Sequence, residues 1–171
     1  GRAVFEDRGI RAGCGLNGNG TPEAGMGVQF VDLDEDGDLD LYMTHLRRET
    51  NTFYRNRNGK FSDMSNTTGT AGVSMKFTGF GMGFQDFDLD GTLDLYVANG
   101  AVQAWKEGER FDQGDAYAEP NHLFRGTRKG KRVTFKLTQP AGATQDPLIG
   151  TSRGAAFGDL EGDGDMDIVV V

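Results

Sequence analysis

Residues 79–100 read GFGMGFQDFDLDGTLDLYVANG. The run GMGFQD suits a strand whose small residues allow close packing. Asp86, Asp88 and Asp90 then alternate, Gly91 follows, and Asp94 closes the acidic stretch. The next residues, LYVA, are apolar, aromatic and β-branched and read as a second strand. An acidic loop therefore joins two strands. The same pattern occurs twice more, as DLDEDGDLD at 32–40 after GVQFVD and as DLEGDGDMD at 159–167 after GAAFGD.

All three loops follow the template D-x-[DE]-x-D-G-x-x-D. Oxygen ligands at positions 1, 3 and 5 are what a hard cation such as Ca²⁺ needs. These are Asp32, Asp34 and Asp36, then Asp86, Asp88 and Asp90, then Asp159, Glu161 and Asp163. Gly37, Gly91 and Gly164 hold position 6, where the chain must turn sharply. Position 7 offers a backbone carbonyl from Asp38, Thr92 or Asp165, and position 9 closes the site with Asp40, Asp94 or Asp167. Without a cation, so many like charges repel. About three Ca²⁺ sites are expected, with Mg²⁺ disfavoured because it prefers rigid octahedral sites that retain water. An EF-hand needs Glu at position 12 and an exiting helix. Position 12 here is Met43, Val97 or Val170, each on an expected strand, so that reading is excluded.

Composition agrees. The chain has 171 residues, 26 acidic against 18 basic side chains and a net charge of −8. Fifteen of the 26 acids lie in the three loops, and the rest of the chain is net +7. The acidity is thus the signature of metal sites rather than of a diffuse surface, and it argues against a phosphate-backbone binder such as a nucleic-acid protein. A single cysteine, Cys14, excludes a disulfide framework and any multi-Cys zinc site, and burial is its expected fate. No run of about 18 apolar residues forms a membrane span.

Internal repetition sets the architecture. Gly27, Gly81 and Gly154 precede their loops by five residues, and Phe30, Phe84 and Phe157 by two. Downstream, Asn51, Tyr54, Arg55 and Phe61 align with Asn121, Phe124, Arg125 and Phe135. Each unit reads as four antiparallel strands, A to D, with the acidic loop in the A–B hairpin. The fold class is all-β, a partial β-propeller of four-stranded blades. The expected units are the last strand of a preceding blade at 1–10, where Phe5 and Asp7 match Phe61 and Asp63, then full blades at 25–66 and 79–138 and the first two strands of a further blade at 153–171. On this count the chain cannot close a ring, and it packs against the remainder of its own propeller.

The insertion 101–119 lies between strands B and C of the second blade, so it falls opposite the acidic loops. Its Trp105, Phe111 and Tyr117 suit either a recognition surface or packing over a neighbouring blade. Glu107 and Glu109 have no nucleophile or His beside them and make no catalytic pair. The basic turn of Arg128, Lys129, Lys131 and Arg132 shares the acidic-loop face and reads as charge balance. His45 and His122 lack a metal-ligand pattern, and His122 matches Thr52 in the repeat.

The stretch GFGMGFQDFDLDGTLDLYVANG resembles the FG-GAP (VCBS) repeats of integrin α-subunit propellers and bacterial surface proteins. SRGAAFGDLEGDGDMDIVVV, with ANG and NHLFR, is similar more specifically to the ASPIC/UnbV group, which includes cartilage acidic protein. The third loop departs from that pattern with Glu161, whose greater length loosens the site. The resemblance implies a secreted or cell-surface, Ca²⁺-stabilised propeller without catalysis, serving adhesion or the binding of an extracellular protein or glycan. The alternative is a scaffold or accessory propeller of a carbohydrate-active enzyme.

Overall fold

Two hairpins side by side build the first sheet. Strand β1 (Val28–Val31) enters the first acidic loop, β2 (Asp40–Met43) leaves it, and β3 (Thr52–Arg57) and β4 (Lys60–Asp63) close an antiparallel sheet in the order β1-β2-β3-β4. The β3–β4 turn is Asn58-Gly59, with both residues at positive φ (52° and 77°), as a tight hairpin requires. These coordinates come from a computed structural model that describes residues 2–138 and 148–171.

The second sheet repeats the first with β5 (Gly79–Gln85), β6 (Asp94–Asn99), β8 (His122–Lys129) and β9 (Arg132–Leu137), in the order β5-β6-β8-β9. Between β6 and β8 lies the insertion, which ends in the short strand β7 (Glu119–Pro120). That strand pairs with β10 (Ile149–Gly150), and β11 (Ala155–Gly158) pairs with β12 (Asp167–Val170) around the third acidic loop. The fold is all-β, and among the described residues there are three single-turn helices, α1 (Gly9–Ala12), α2 (Ser65–Thr68) and α3 (Ala71–Ser74).

The first strands of the three sheets that carry acidic loops lie in a row, β1 beside β5 and β5 beside β11. Their approach is very close at the repeated glycines. A Cβ on Gly81 would sit 2.3 Å from the Ala155 nitrogen, and one on Gly27 would sit 2.1 Å from the Phe80 oxygen. Gly81 also lies in an irregularity of the β5–β6 register, between Gly79 and Met82. The repeated phenylalanines fill the space between sheets. Phe84 is 3% exposed and meets Tyr42 of the first sheet edge-on at 5.3 Å, and Phe157 packs against Phe87 and Tyr96 of the second. Together with Leu95, Val97, Phe124 and Phe135, Tyr42 and Phe84 form the main core. Phe30, at the equivalent position of the first sheet, is 57% exposed.

The strand expected within 1–10 is not formed. Residues 2–8 are unladdered, and Phe5 is exposed. A strand exists only by exchanging backbone hydrogen bonds with a neighbour, and none of the described strands runs alongside this segment. The repeat nevertheless holds just beyond it. Asp7 accepts the Gly9 amide at 3.0 Å and Asp63 accepts the Ser65 amide at 2.9 Å, each opening a helical turn. Those turns end at Gly13 and Gly69, both at positive φ and both lying on the carbonyl of a strand residue, Phe61 or Phe135.

Candidate metal centre

The three acidic loops fold alike because the first Asp organises the backbone that follows it. Asp32 accepts the Asp36 and Gly37 amides at 3.1 and 3.0 Å, and Asp86 accepts those of Asp90 and Gly91 at 3.0 and 2.9 Å. Asp159 accepts the Gly162, Asp163 and Gly164 amides at 2.7, 3.1 and 3.1 Å. The position-5 side chains of Asp36, Asp90 and Asp163 accept the amides of Asp38, Thr92 and Asp165. Gly37, Gly91 and Gly164 all take positive φ (92°, 84° and 98°), as position 6 demands. Position 4 does so as well, at Glu35 (53°), Leu89 (56°) and Gly162 (77°). The only sequence signal for that second left-handed residue is Gly162.

Position 9 ties each loop to its sheet. Asp40 accepts the Leu33 amide at 3.3 Å and the Asn56 amide of β3 at 2.8 Å. Asp94 accepts the Phe87 amide at 3.3 Å and the Gly126 amide of β8 at 2.7 Å. Asp167 accepts the Leu160 amide at 2.8 Å. Asp38 turns its carboxylate to the Asn58 amide at 2.7 Å and so away from the loop centre.

Two carboxylate triads result. Asp32, Asp34 and Asp40 bring one oxygen each within 4.8 Å of one another, as do Asp86, Asp88 and Asp90. Both triads are positioned to hold a metal ion, and their all-oxygen donor set is compatible with calcium. In the first loop Asp36 stands outside the triad, and in the second Asp94 does. Among the described residues the third loop brings no three acids this close. Its Asp159, Glu161, Asp163 and Asp165 are exposed.

The first site also fits a cation by what it leaves unsatisfied. Asp34 is 5% exposed, and its Oδ1 is buried without a hydrogen-bond partner. Such an acceptor is costly unless something positive meets it. Its Oδ2 is paired with the Arg55 guanidinium. Burial pushes Asp40 up to about 6 against the amide hydrogen bonds it accepts, and the Asp34 and Asp36 carboxylates add to the rise. Asp94 is raised in the same way, by burial first and by Asp88 and Asp90 after it. Asp36 and Asp90 are held low by the amides of Asp38 and Thr92.

Arginines complete both sites. Arg125 pairs with Asp88 at 2.5 Å and with Asp90 at 3.3 Å, and it holds the same place in the second repeat as Arg55 in the first. Their alignment in the sequence was the available signal, but only the sheet register shows that both reach the loop. The basic turn behaves as charge balance. Arg128 pairs with Glu35, and Lys131 lies 3.8 Å from Asp36, so the second sheet's last turn neutralises the first sheet's loop.

The histidines lie elsewhere. His122 is buried beside Phe77 and Phe124, and burial pulls it down to about 4. It pairs with Val97 as Thr52 pairs with Met43, in keeping with the repeat. His45 is buried with neither ring nitrogen hydrogen-bonded, its Nε2 lies 3.8 Å from Glu23, and burial lowers it too. Cys14 is half-buried and free. No helix of the described residues is long and apolar enough to cross a membrane.

A comparison with curated proteins finds no match. Against family models, residues 32–97, from the first Asp of the first loop through the first sheet and the second loop to β6, match the FG-GAP-like repeat.

Proposed function

We propose that this chain is a Ca²⁺-stabilised, propeller-type segment of a secreted or cell-surface protein. Its role is adhesion or the binding of an extracellular protein or glycan. The observation that carries the metal reading is the buried, unpartnered Asp34 Oδ1 inside a triad of carboxylates. Asp32, Asp34 and Asp40 would hold one ion, and Asp86, Asp88 and Asp90 a second. The third loop, with its exposed acids and Glu161, would hold a third ion more weakly. Bound Ca²⁺ supplies positive charge beyond what Arg55, Arg125, Arg128 and Lys131 bring to the loops, and the protein supplies the turn that gathers the oxygens.

The propeller reading draws support from the FG-GAP-like match and from the side-by-side first strands. The 57% exposure of Phe30, against its buried counterpart Phe84, suits a face that meets a further blade. The likeness of the last 20 residues to the ASPIC/UnbV group points to the same extracellular setting. We assign no catalysis. Burial pushes Glu119 up to about 7, but its partners are the Thr78 amide and the Trp105 indole, and both contacts are structural.

Equilibrium dialysis of the chelator-stripped chain tests the metal. At equal millimolar concentrations the chain should retain at least two Ca²⁺ and lose Mg²⁺. Equal retention of both ions, or of neither, would sink the calcium assignment.

A further inference from the structure

A groove of about 690 Å³ opens at the end of the sheets opposite the acidic loops, between the first sheet's connections and the insertion. That volume lies within the roughly 300–1,000 Å³ of small-ligand sites. Four cations line it, Arg47, Arg48, Lys76 and Lys106, against the single carboxylate of Glu109. None of the four makes an ion pair among the described residues. On a chain of net charge −8, the lining of this groove is net positive, with Glu109 at its edge and Glu119 close enough to Arg47 for that charge to offset part of its burial-driven rise.

The groove is built rather than incidental. Trp105 donates its indole N–H to the fully buried Glu119 at 3.2 Å, and Glu119 also accepts the Thr78 amide at 2.8 Å. Phe111 meets Trp105 edge-on at 5.2 Å. The Arg47 guanidinium then lies 4.3 Å over the Trp105 ring. This cation–π contact anchors Arg47 at the groove wall, and its guanidinium N–H groups suit a planar or tetrahedral oxyanion. Arg48 lies alongside in a left-handed conformation (φ 79°), its backbone N–H donating to the Met75 carbonyl oxygen at 2.8 Å.

We propose that this groove binds an acidic oligosaccharide, with a uronate carboxylate or a sulfate ester on the Arg47 fork and the ring hydroxyls on Gln103 and Glu109. The proposal rests on the binding role assigned above and names its ligand class. A carbohydrate fits better than an acidic peptide for two reasons. A peptide adding as a strand needs a free edge, and the insertion's backbone here is already paired, with Ala101 bonded to Tyr117 and Trp105 to Ala116. The Glu109 carboxylate can accept hydrogen bonds from ring hydroxyls, which every sugar unit carries and a run of acidic side chains lacks.

Trp105 is the chain's only tryptophan, so its emission reports this groove alone. The full chain, kept in Ca²⁺, is titrated with oligogalacturonate, sulfated dextran fragments, neutral dextran of equal length and poly-glutamate. A saturable emission change with one or both acidic sugars, absent with neutral dextran and weaker with poly-glutamate, is the expected result, and the responding sugar tells carboxylate from sulfate. Calorimetry should show binding at least about 10-fold weaker in Arg47→Ala. Lys106→Ala, at an exposed position that leaves Trp105 in place, should weaken it by a smaller factor. No emission change, equal response to neutral dextran, equal or tighter binding of poly-glutamate, or unchanged affinity in both variants would overturn the proposal. A chain that keeps its chelator-sensitive melting but fails here refutes the groove and leaves the calcium reading intact.

Discussion

Removing Ca²⁺ with a chelator should lower the thermal midpoint of the chain by about 8 °C. Each ion that binds only the folded state adds RT ln(1 + [L]/Kd). With extracellular-type affinity, a Kd near 10⁻⁴ M, and about 1 mM free Ca²⁺, that is about 1.4 kcal/mol per ion. Two carboxylate triads then contribute about 3 kcal/mol, and a chain of this size shifts by about 2–4 °C per kcal/mol. The stripped loops retain their backbone frame, because Asp32, Asp86 and Asp159 hold the turn amides without help. What they lose is the charge that offsets the crowded carboxylates around Asp40 and Asp94. The fold should therefore weaken rather than vanish. Scanning calorimetry with and without chelator measures the shift, and an unmoved midpoint would mean that the loops hold no stabilising ion.

Gly81→Val should cost about 3 kcal/mol and loosen the third sheet from the second. The added Cβ alone would lie 2.3 Å from the Ala155 nitrogen and 2.7 Å from the Gly154 carbonyl carbon. Both are backbone atoms, so no side chain can swing aside. The substitution would also strain the bond from the Gly81 amide to the Arg153 oxygen at 3.0 Å. Gly158→Ala, where an added Cβ meets nothing within 4 Å, should change stability by less than about 0.5 kcal/mol. Urea unfolding gives both values, and hydrogen exchange should quicken in 153–171 for Gly81→Val alone. Equal effects of the two substitutions would show that the glycine approach does not join the sheets.

Much of this was legible because the sequence repeats. The 54-residue step from Asp32 to Asp86 carries the same glycine, phenylalanine and acids, and both copies became four-stranded sheets. The absence of a strand at 2–10 was not legible, because the match to KFSDMSN concerns residues whose pairing depends on a neighbour. Asp7 kept its local role as a turn acceptor, which needs none. Left-handed backbone at position 4 was hidden by Glu35 and Leu89, since only Gly162 advertises it. Arg55 and Arg125 align in the repeat, but a guanidinium reaching back to a loop 21 or 37 residues earlier is visible only in the sheet register. The insertion's aromatics divided between the two readings. Trp105 is pinned by Glu119 and Arg47, while Phe111 and Tyr117 stay 40% and 44% exposed.

Assignment of the metal to the acidic loops themselves makes a direct demand on binding. It is tested most directly by titrating Ca²⁺ calorimetrically into the stripped chain, beside Asp34→Asn and Asp88→Asn. Each substitution removes one triad carboxylate charge while keeping its shape. The expected result is at least two sites in the parent chain, with one of them lost or weakened by about tenfold or more in each variant. No binding heat in the parent chain, or the same isotherm in all three proteins, would contradict the account.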